Sequence, residues 1–134
     1  MRQALTVQGN RNVSQMKNVC SRCIKGQFAK SDNAGTFIDG STRSSVLLHS
    51  CAVGLGTYNP GWKWSSHAGS QTGTPSDNHV GYILSGTMMI KDSTGIETEV
   101  GPAEAFEVGP GHDAWVVGDE PCVALDFIPV GVWP

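Results

Sequence analysis

The stretch that decides the fold runs from residue 79 to residue 112. It begins with His79-Val-Gly-Tyr-Ile-Leu-Ser-Gly86, continues through a Met88-Met-Ile90 strand and a turn at Asp92-Ser-Thr-Gly95, and ends with Ala105-Phe-Glu-Val-Gly-Pro-Gly-His112. Short apolar and β-branched runs between glycine-rich turns predict antiparallel strands. Because a histidine stands at each end, the stretch predicts a small metal-binding β-barrel with two imidazoles in one interior.

The length and composition favour a single all-β domain. A chain of 134 residues can bury a core without disulfide support. Its 17 glycines are a larger share of the chain than the average glycine usage of about 7%. This abundance favours strands joined by tight turns. Residues 1–17 show no clear period and are predicted to be a flexible lead-in. The sequence therefore predicts one small antiparallel β-barrel over residues 18–134.

Charge and hydropathy argue against two classes of partner. The net charge is −3 and the nine basic residues are scattered, so no positive stripe is available for nucleic acid or an anionic membrane. No apolar run approaches the roughly 18 residues of a membrane span. The first 20 residues are polar where a secretory peptide needs its apolar centre. We therefore expect a cytoplasmic protein without nucleic-acid or membrane partners.

The four cysteines are interpreted as free thiols, since a reducing compartment disfavours disulfides. Cys20-Ser-Arg-Cys23 has the spacing of half a zinc site or of a redox pair. No second Cys-x-x-Cys follows, and no βαβ pattern surrounds it. The sequence favours two ordinary thiols there but leaves their role open.

The rest of the chain supplies further strands and one loop. Residues 45–53 read as one strand that ends at Gly54. Residues 69–78 read as a polar loop between strands, and no segment has a convincing helical period. One or two short strands around a turn at 32–35 are indicated by three apolar residues, Phe28, Phe37 and Ile38.

Residues 44–130 resemble the cupin superfamily, whose fold is a jelly-roll β-barrel. The first cupin motif is written G(x)5HxH(x)3,4E(x)6G, and here Gly61 and five residues lead to His67. Six residues separate His79 from Gly86, which puts a histidine where most cupins have glutamate. Gly109-Pro-Gly111 matches the Pro-x-Gly turn of the second motif. The segments resemble a subgroup of small bacterial cupins of unassigned activity, also found fused to signalling domains.

The chain departs from these motifs at two positions. Gly69 occupies the second histidine position of the first motif, and an insertion follows it. The histidine position of the second motif falls on Ala114, with His112 two residues earlier. Residues two apart on a strand point to the same face, about 6.7 Å apart, so His112 can still enter the barrel.

The resemblance implies a divalent transition metal bound by His67, His79 and His112. Neutral imidazoles with an open coordination position suit Zn, Fe, Ni, Cu or Mn, and histidine in place of glutamate favours zinc or copper. Asp77 is a candidate fourth ligand, although a loop aspartate more often caps its own backbone. The alternative for any single histidine is a hydrogen-bonded or surface side chain.

Four other residues are candidates for the pocket. Glu107 would act as an acid or base if it faced inward, but a solvent-facing glutamate is the alternative that we favour. His49 is a candidate pocket member or a core or rim histidine. Trp64 and Tyr82 are candidates to line the pocket, or else ordinary core or interface residues.

Three functions fit these features. The first is a metal-dependent enzyme acting on a small polar organic molecule, as a lyase, isomerase, decarboxylase or dioxygenase. The second is a non-catalytic module or sensor that binds a small ligand, and the third is a barrel kept for assembly alone. Because cupins commonly dimerise, we also expect a homodimer. The fold does not choose among these functions.

Overall fold

The computed structural model describes residues 22–129, which form nine β-strands. The lead-in predicted over residues 1–17 lies outside this range, and so does Cys20. The strands are β1 (Asn33–Thr36), β2 (Thr42–Leu47), β3 (Cys51–Tyr58), β4 (His79–Ser85), β5 (Met88–Lys91), β6 (Glu97–Val100), β7 (Ala105–Val108), β8 (Asp113–Val116) and β9 (Cys122–Pro129).

The strands form two antiparallel sheets, which confirms the predicted all-β class. The larger sheet has the order β1-β2-β3-β9-β4-β7, and the smaller has the order β6-β5-β8. Buried residues of both sheets make up one core, including Ile83 and Cys122 of the larger sheet and Met88 and Val116 of the smaller. The predicted β-barrel is an open one, because the hydrogen bonding does not close the two sheets into a ring.

Glycines on the inner face of the larger sheet leave space beside the core. The register places Gly54 opposite Asp126 and Asp126 opposite Gly81, so these residues form one row across β3, β9 and β4. A Cβ atom at Gly81 would overlap the ring of Phe106, and one at Gly54 would overlap Asp126. Bare backbone at these positions therefore lets larger neighbouring side chains fold over the sheet.

Two predicted elements of the N-terminal half are wrong in their boundaries. The single strand predicted over 45–53 is broken into β2 and β3 by a turn, in which the Leu48 N–H donates to the Cys51 carbonyl at 2.9 Å. The predicted turn at 32–35 is instead mostly β1. The actual turn lies at Asp39-Gly40, where Gly40 has a φ of +88° that favours glycine.

The predicted polar loop over 69–78 begins in a short helical segment. Residues Ser65–Gly69 form a π-helical turn, and Ser70–Thr72 continue it as a single α-helical turn. Gly73, with a φ of +69°, ends the segment. Such short turns carry no periodic pattern of apolar residues, so they could not be predicted from the sequence.

The described residues also bear on two further expectations. Within 22–129 no helix combines the length and apolar character that crossing a membrane requires.

Cys23, Cys51 and Cys122 are free thiols in this part of the chain. Burial raises the pKa of the Cys122 thiol to about 11, so this thiol stays protonated at neutral pH.

Candidate functional site

A cavity of about 370 Å³ lies between the two sheets. Its wall includes inward-facing residues of the larger sheet, residues of β5 and β8, and the segment from Trp62 to Asp77. The volume falls in the range typical of small-molecule sites, about 300 to 1,000 Å³. This cavity is therefore the candidate site.

His112 enters the cavity from the turn before β8 and is only 6% exposed. Its Nδ1 lies 2.9 Å from the Gly109 carbonyl oxygen and 3.1 Å from Ser76 Oγ. The Ser76 hydroxyl donates to the His112 carbonyl at 2.6 Å. Because the Gly109 carbonyl can only accept, we assign the ring proton to Nδ1. That tautomer leaves the lone pair on Nε2.

His79, the first residue of β4, lies beside His112. The two ring centroids are 5.1 Å apart with the planes inclined by 60°. Nδ1 of His79 lies 3.3 Å from the Asp77 carbonyl oxygen, so this ring also directs Nδ1–H to a backbone carbonyl. Within residues 22–129 neither Nε2 has a hydrogen-bond partner. Two imidazoles with available Nε2 atoms thus share the cavity, and we call them the histidine pair.

The surroundings of His112 favour its neutral form. Burial lowers the pKa of His112, and the neighbouring His79 lowers it further, although the hydrogen bond to Gly109 acts in the opposite direction. The net shift is downward from the ordinary value of 6.5. His112 is therefore neutral at pH 7.

The structure does not bring His67 to the histidine pair. His67 lies in the π-helical turn and is not among the residues that line the cavity. Its Nδ1 lies 3.0 Å from the Lys63 nitrogen, whose N–H can only donate, and 3.1 Å from the Lys63 carbonyl. Both contacts hold Nδ1 against the Lys63 backbone and away from the histidine pair. Two of the three predicted ligands therefore come together.

The other sequence candidates divide into two groups. Asp77 and Trp64 line the cavity. Tyr82 alternates with Gly81 and Ile83 on β4 and so lies on the outer face of the sheet. Glu107 is exposed on β7, and His49 is exposed in the turn between β2 and β3. None of these last three lines the cavity.

A partly buried ion pair in the cavity wall was missed in the sequence. Arg43 Nη2 lies 2.7 Å from Asp126 Oδ1, and Arg43 Nε lies 3.3 Å from Asp126 Oδ2. Burial acts to lower the pKa of Arg43, but Asp126 and Tyr58 together raise it above its ordinary value. Burial raises the pKa of the neighbouring Tyr58 to about 12. The alternating glycines of Gly54-Leu-Gly56 were the only signal, since Gly54 leaves space for Arg43 and Asp126 and Gly56 leaves space for Tyr58.

Aromatic rings form another part of the wall. The centroids of Tyr58 and Trp62 are 4.3 Å apart, and those of Phe37 and Trp62 are 5.7 Å apart. Trp62 is 4% exposed, and its Nε1–H has no hydrogen-bond partner within residues 22–129. Buried indole N–H groups usually find an acceptor. Trp62 is thus an exception: the residue lines the cavity, while its Nε1 atom is enclosed by the protein.

No family model matches the chain, and no curated protein matches it. Solved structures do match. A sugar phosphate isomerase of the cupin superfamily from Silicibacter pomeroyi has a TM-score of 0.60 at 15% identity, covering 81% of this chain and 76% of its own. The polyketide cyclase RemF from Streptomyces resistomycificus gives 0.57 at 16%, covering 84% and 83%. An RmlC-like cupin from Shewanella frigidimarina gives 0.58 at 12%, covering 82% and 93%.

The fold and site together define a class of protein. Residues 22–129 have the cupin fold, as the resemblance of residues 44–130 implied, with a histidine pair in a cavity between the sheets. At 12% to 16% identity, the likeness establishes the fold and leaves the activity to be argued from the site.

The metal implied by the cupin resemblance can be tested against the side chains present. Metal-ligating histidines commonly donate their second ring N–H to a backbone carbonyl, and both members of the histidine pair do so. A third ligand is missing, because residues 22–129 contain no group of three or more His, Cys, Asp or Glu side chains able to hold a metal ion. The described residues therefore bring together two imidazole ligands, His79 and His112, without a grouped third ligand.

Proposed function

We propose that the chain is an enzyme that acts on a small organic molecule in the cavity, with the histidine pair as its reactive group. The observation that carries this proposal is the pair itself, two imidazoles 5.1 Å apart with their Nε2 atoms available to the cavity. An imidazole that is neutral near pH 7 is suited to accept a proton from a substrate. Two adjacent rings can take a proton and return it at different atoms, as an isomerase or lyase requires.

A metal-dependent form of this proposal keeps the same residues. His79 and His112 would supply two nitrogen ligands to Zn, Fe, Ni, Cu or Mn. Asp77 lines the same cavity and is the remaining candidate for a third ligand, whereas His67 in its present place does not line the cavity. Such a metal would supply Lewis-acid chemistry for a lyase, isomerase or decarboxylase, or oxygen chemistry for a dioxygenase.

The test separates the histidine pair from the third predicted ligand. Protein purified without chelator is dialysed against Zn(II), Ni(II), Mn(II) or anaerobic Fe(II), and its retained metal and its turnover of a small-molecule library are measured. We expect His79→Ala and His112→Ala to abolish turnover, whereas His67→Ala retains it. Equal activity of His79→Ala and the parent protein would overturn the proposal. Retained metal that His67→Ala removes would instead restore the three-histidine site.

A second candidate is a non-catalytic module that binds a small molecule. The observation that favours it is the wall of aromatic and aliphatic side chains, which suits binding as well as chemistry. Mass spectrometry of ligands after long incubation, with each metal in turn, distinguishes the two functions. Ligands recovered unchanged under every condition support the module, and any conversion that His79→Ala removes supports the enzyme.

We also propose that the protein is a cytoplasmic homodimer. Phe37, an apolar residue of the N-terminal segment, packs against the core and gives dimerisation no support. Better support comes from the outer face of β4, where Val80 is 40% exposed and Leu84 is 47% exposed. Light scattering at micromolar concentration should report twice the mass of the chain, and a monomer would contradict the proposal.

A further inference from the structure

Ser76, in the loop before β4, is joined to the turn that carries His112. The residue lines the cavity and is 6% exposed. Its backbone carbonyl accepts a hydrogen bond from the Gly111 N–H at 2.9 Å. Its Oγ lies 2.6 Å from the His112 carbonyl oxygen and 3.1 Å from His112 Nδ1. Three contacts therefore fix this serine against the backbone and the ring of His112.

The single proton of the Ser76 hydroxyl decides how the serine can meet the ring. A hydroxyl donates one hydrogen bond and accepts through two lone pairs. The shorter of its two contacts is to the His112 carbonyl oxygen, which can only accept, so the hydroxyl proton is used there. Toward His112 Nδ1 the hydroxyl can then only accept. Ser76 Oγ and the Gly109 carbonyl, which lies 2.9 Å from Nδ1, both require a proton on that nitrogen.

The other neutral tautomer of His112, with its proton on Nε2, does not fit these contacts. Nδ1 would then present a lone pair to the Gly109 carbonyl oxygen, which is also an acceptor. The one proton of Ser76 could serve Nδ1 or the His112 carbonyl but not both, so a second pair of acceptors would face each other. Buried polar groups left unpaired are costly. Ser76 thus adds a second penalty to the one that Gly109 imposes.

The neighbouring ring of the histidine pair is held differently. Among the described residues, His79 Nδ1 has one contact, 3.3 Å to the Asp77 carbonyl oxygen. His79 is also less deeply buried than His112. The pair therefore combines a ring held by a backbone carbonyl alone with a ring held by a carbonyl and a serine side chain.

We propose that Ser76 is a positioning residue of the histidine pair, which holds His112 in the Nδ1–H tautomer and so keeps the lone pair on Nε2. The proposal rests on the proposed function, because a ring nitrogen must carry a lone pair to accept a proton from a substrate. The Nε2–H tautomer would present a donor at the same position and could not act as a base through that atom. Ser76 has this role without touching the substrate.

The test reads the tautomers directly by NMR. A long-range proton–nitrogen correlation spectrum distinguishes a protonated ring nitrogen from one that carries a lone pair. The isotope-labelled full chain is measured with chelator at pH 8, where histidines of ordinary pKa are mostly neutral. The signals of His79 and His112 are assigned by their loss in His79→Gln and His112→Gln. We expect the Nδ1–H form of His112 in the parent protein.

The decisive variant is Ser76→Ala, which removes one oxygen and leaves the backbone hydrogen bond from Gly111 in place. We expect the ratio of the Nδ1–H to the Nε2–H form of His112 to fall about fivefold, as the loss of one hydrogen bond implies. The tautomer ratio of His79 should stay unchanged, because its partner is the Asp77 backbone carbonyl.

Ser70→Ala is the matched control. Ser70 Oγ also donates to a backbone carbonyl at 2.6 Å, that of Ser66, in the helical segment that precedes the loop. Ser70 does not line the cavity. Its replacement removes a hydrogen bond of the same kind and length, and we expect it to leave both rings of the histidine pair in the tautomers of the parent protein.

Three outcomes would overturn the proposal. They are an Nε2–H form of His112 in the parent protein, an unchanged tautomer ratio of His112 in Ser76→Ala, and equal changes at His79 and His112 in that variant. The last outcome would mean that Ser76 holds the loop as a whole. The proposed function fails separately, because it depends on turnover that is lost in His79→Ala. A chain without turnover can still show the tautomer change, and an active chain can lack it.

Discussion

The histidine pair and the Arg43–Asp126 pair lie in the wall of the same cavity, but only one of them is satisfied. Arg43 and Asp126 use two hydrogen bonds on each other, and their charges cancel. His79 and His112 use their Nδ1 atoms on backbone carbonyls and keep both Nε2 atoms without a partner in the described chain. The contrast assigns structural support to the first pair and chemistry to the second.

The largest expected effect comes from breaking the ion pair. Asp126→Ala leaves the Arg43 charge without a partner, and we expect the free energy of unfolding to fall by about 3 kcal/mol. This is the low end of the range for buried pairs, because the two side chains are 28% and 18% exposed. Urea denaturation measures the loss. The double variant Arg43→Met/Asp126→Leu removes both charges and should recover much of the stability.

The space around the ion pair can be tested separately from its charges. A Cβ atom at Gly54 would overlap Asp126 and Arg43, so Gly54→Ala should cost about 2 kcal/mol through overpacking. Gly35→Ala is the matched control, since Gly35 also lies in a strand but nothing lies within 4 Å of its added Cβ. Equal thermal unfolding of the two variants would contradict the packing described here.

The burial of His112 predicts that the free energy of unfolding depends on pH. Because burial lowers the folded-state pKa of His112, the unfolded chain takes up a proton more readily between that pKa and 6.5. The free energy of unfolding should therefore fall as the pH falls through this interval, by less than about 1.4 kcal/mol per pH unit. Denaturation of the parent protein and of His112→Gln at pH 5 to 8 checks this. The variant should show a flatter profile.

The sequence predicted which side chains face inward better than it predicted which side chains pair across large separations in the chain. His112 and Ala114 both line the cavity, as alternation along a strand requires. The pairing of Arg43 with Asp126 spans 83 residues and depends on the register of β2, β3 and β9. No local pattern contains that register, so the ion pair could be found only in the folded chain.

The position of His67 shows how a matching motif can mislead. The spacing from Gly61 to His67 fits the first cupin motif. It would place His67 on a strand if that strand continued past Trp64. Instead the chain turns into the π-helical segment, and the Ser65 N–H donates to Asp113 Oδ1 at 3.0 Å. The turn directs His67 toward the Lys63 backbone. Motif spacing counts residues, whereas the direction of a side chain depends on the backbone conformation between them.

The smallest expected effect is at His67, and it compares this histidine directly with the histidine pair. His67→Gln should change the free energy of unfolding by less than about 0.5 kcal/mol, because its hydrogen bond is made at a partly exposed turn. It should also leave turnover as it is in the parent protein. His79→Gln serves as the positive comparison, since it removes an Nε2 lone pair from the cavity and should abolish turnover. If both variants lose activity equally, His67 moves into the site when substrate binds. The contrast between satisfied and available side chains would then hold only for the empty cavity.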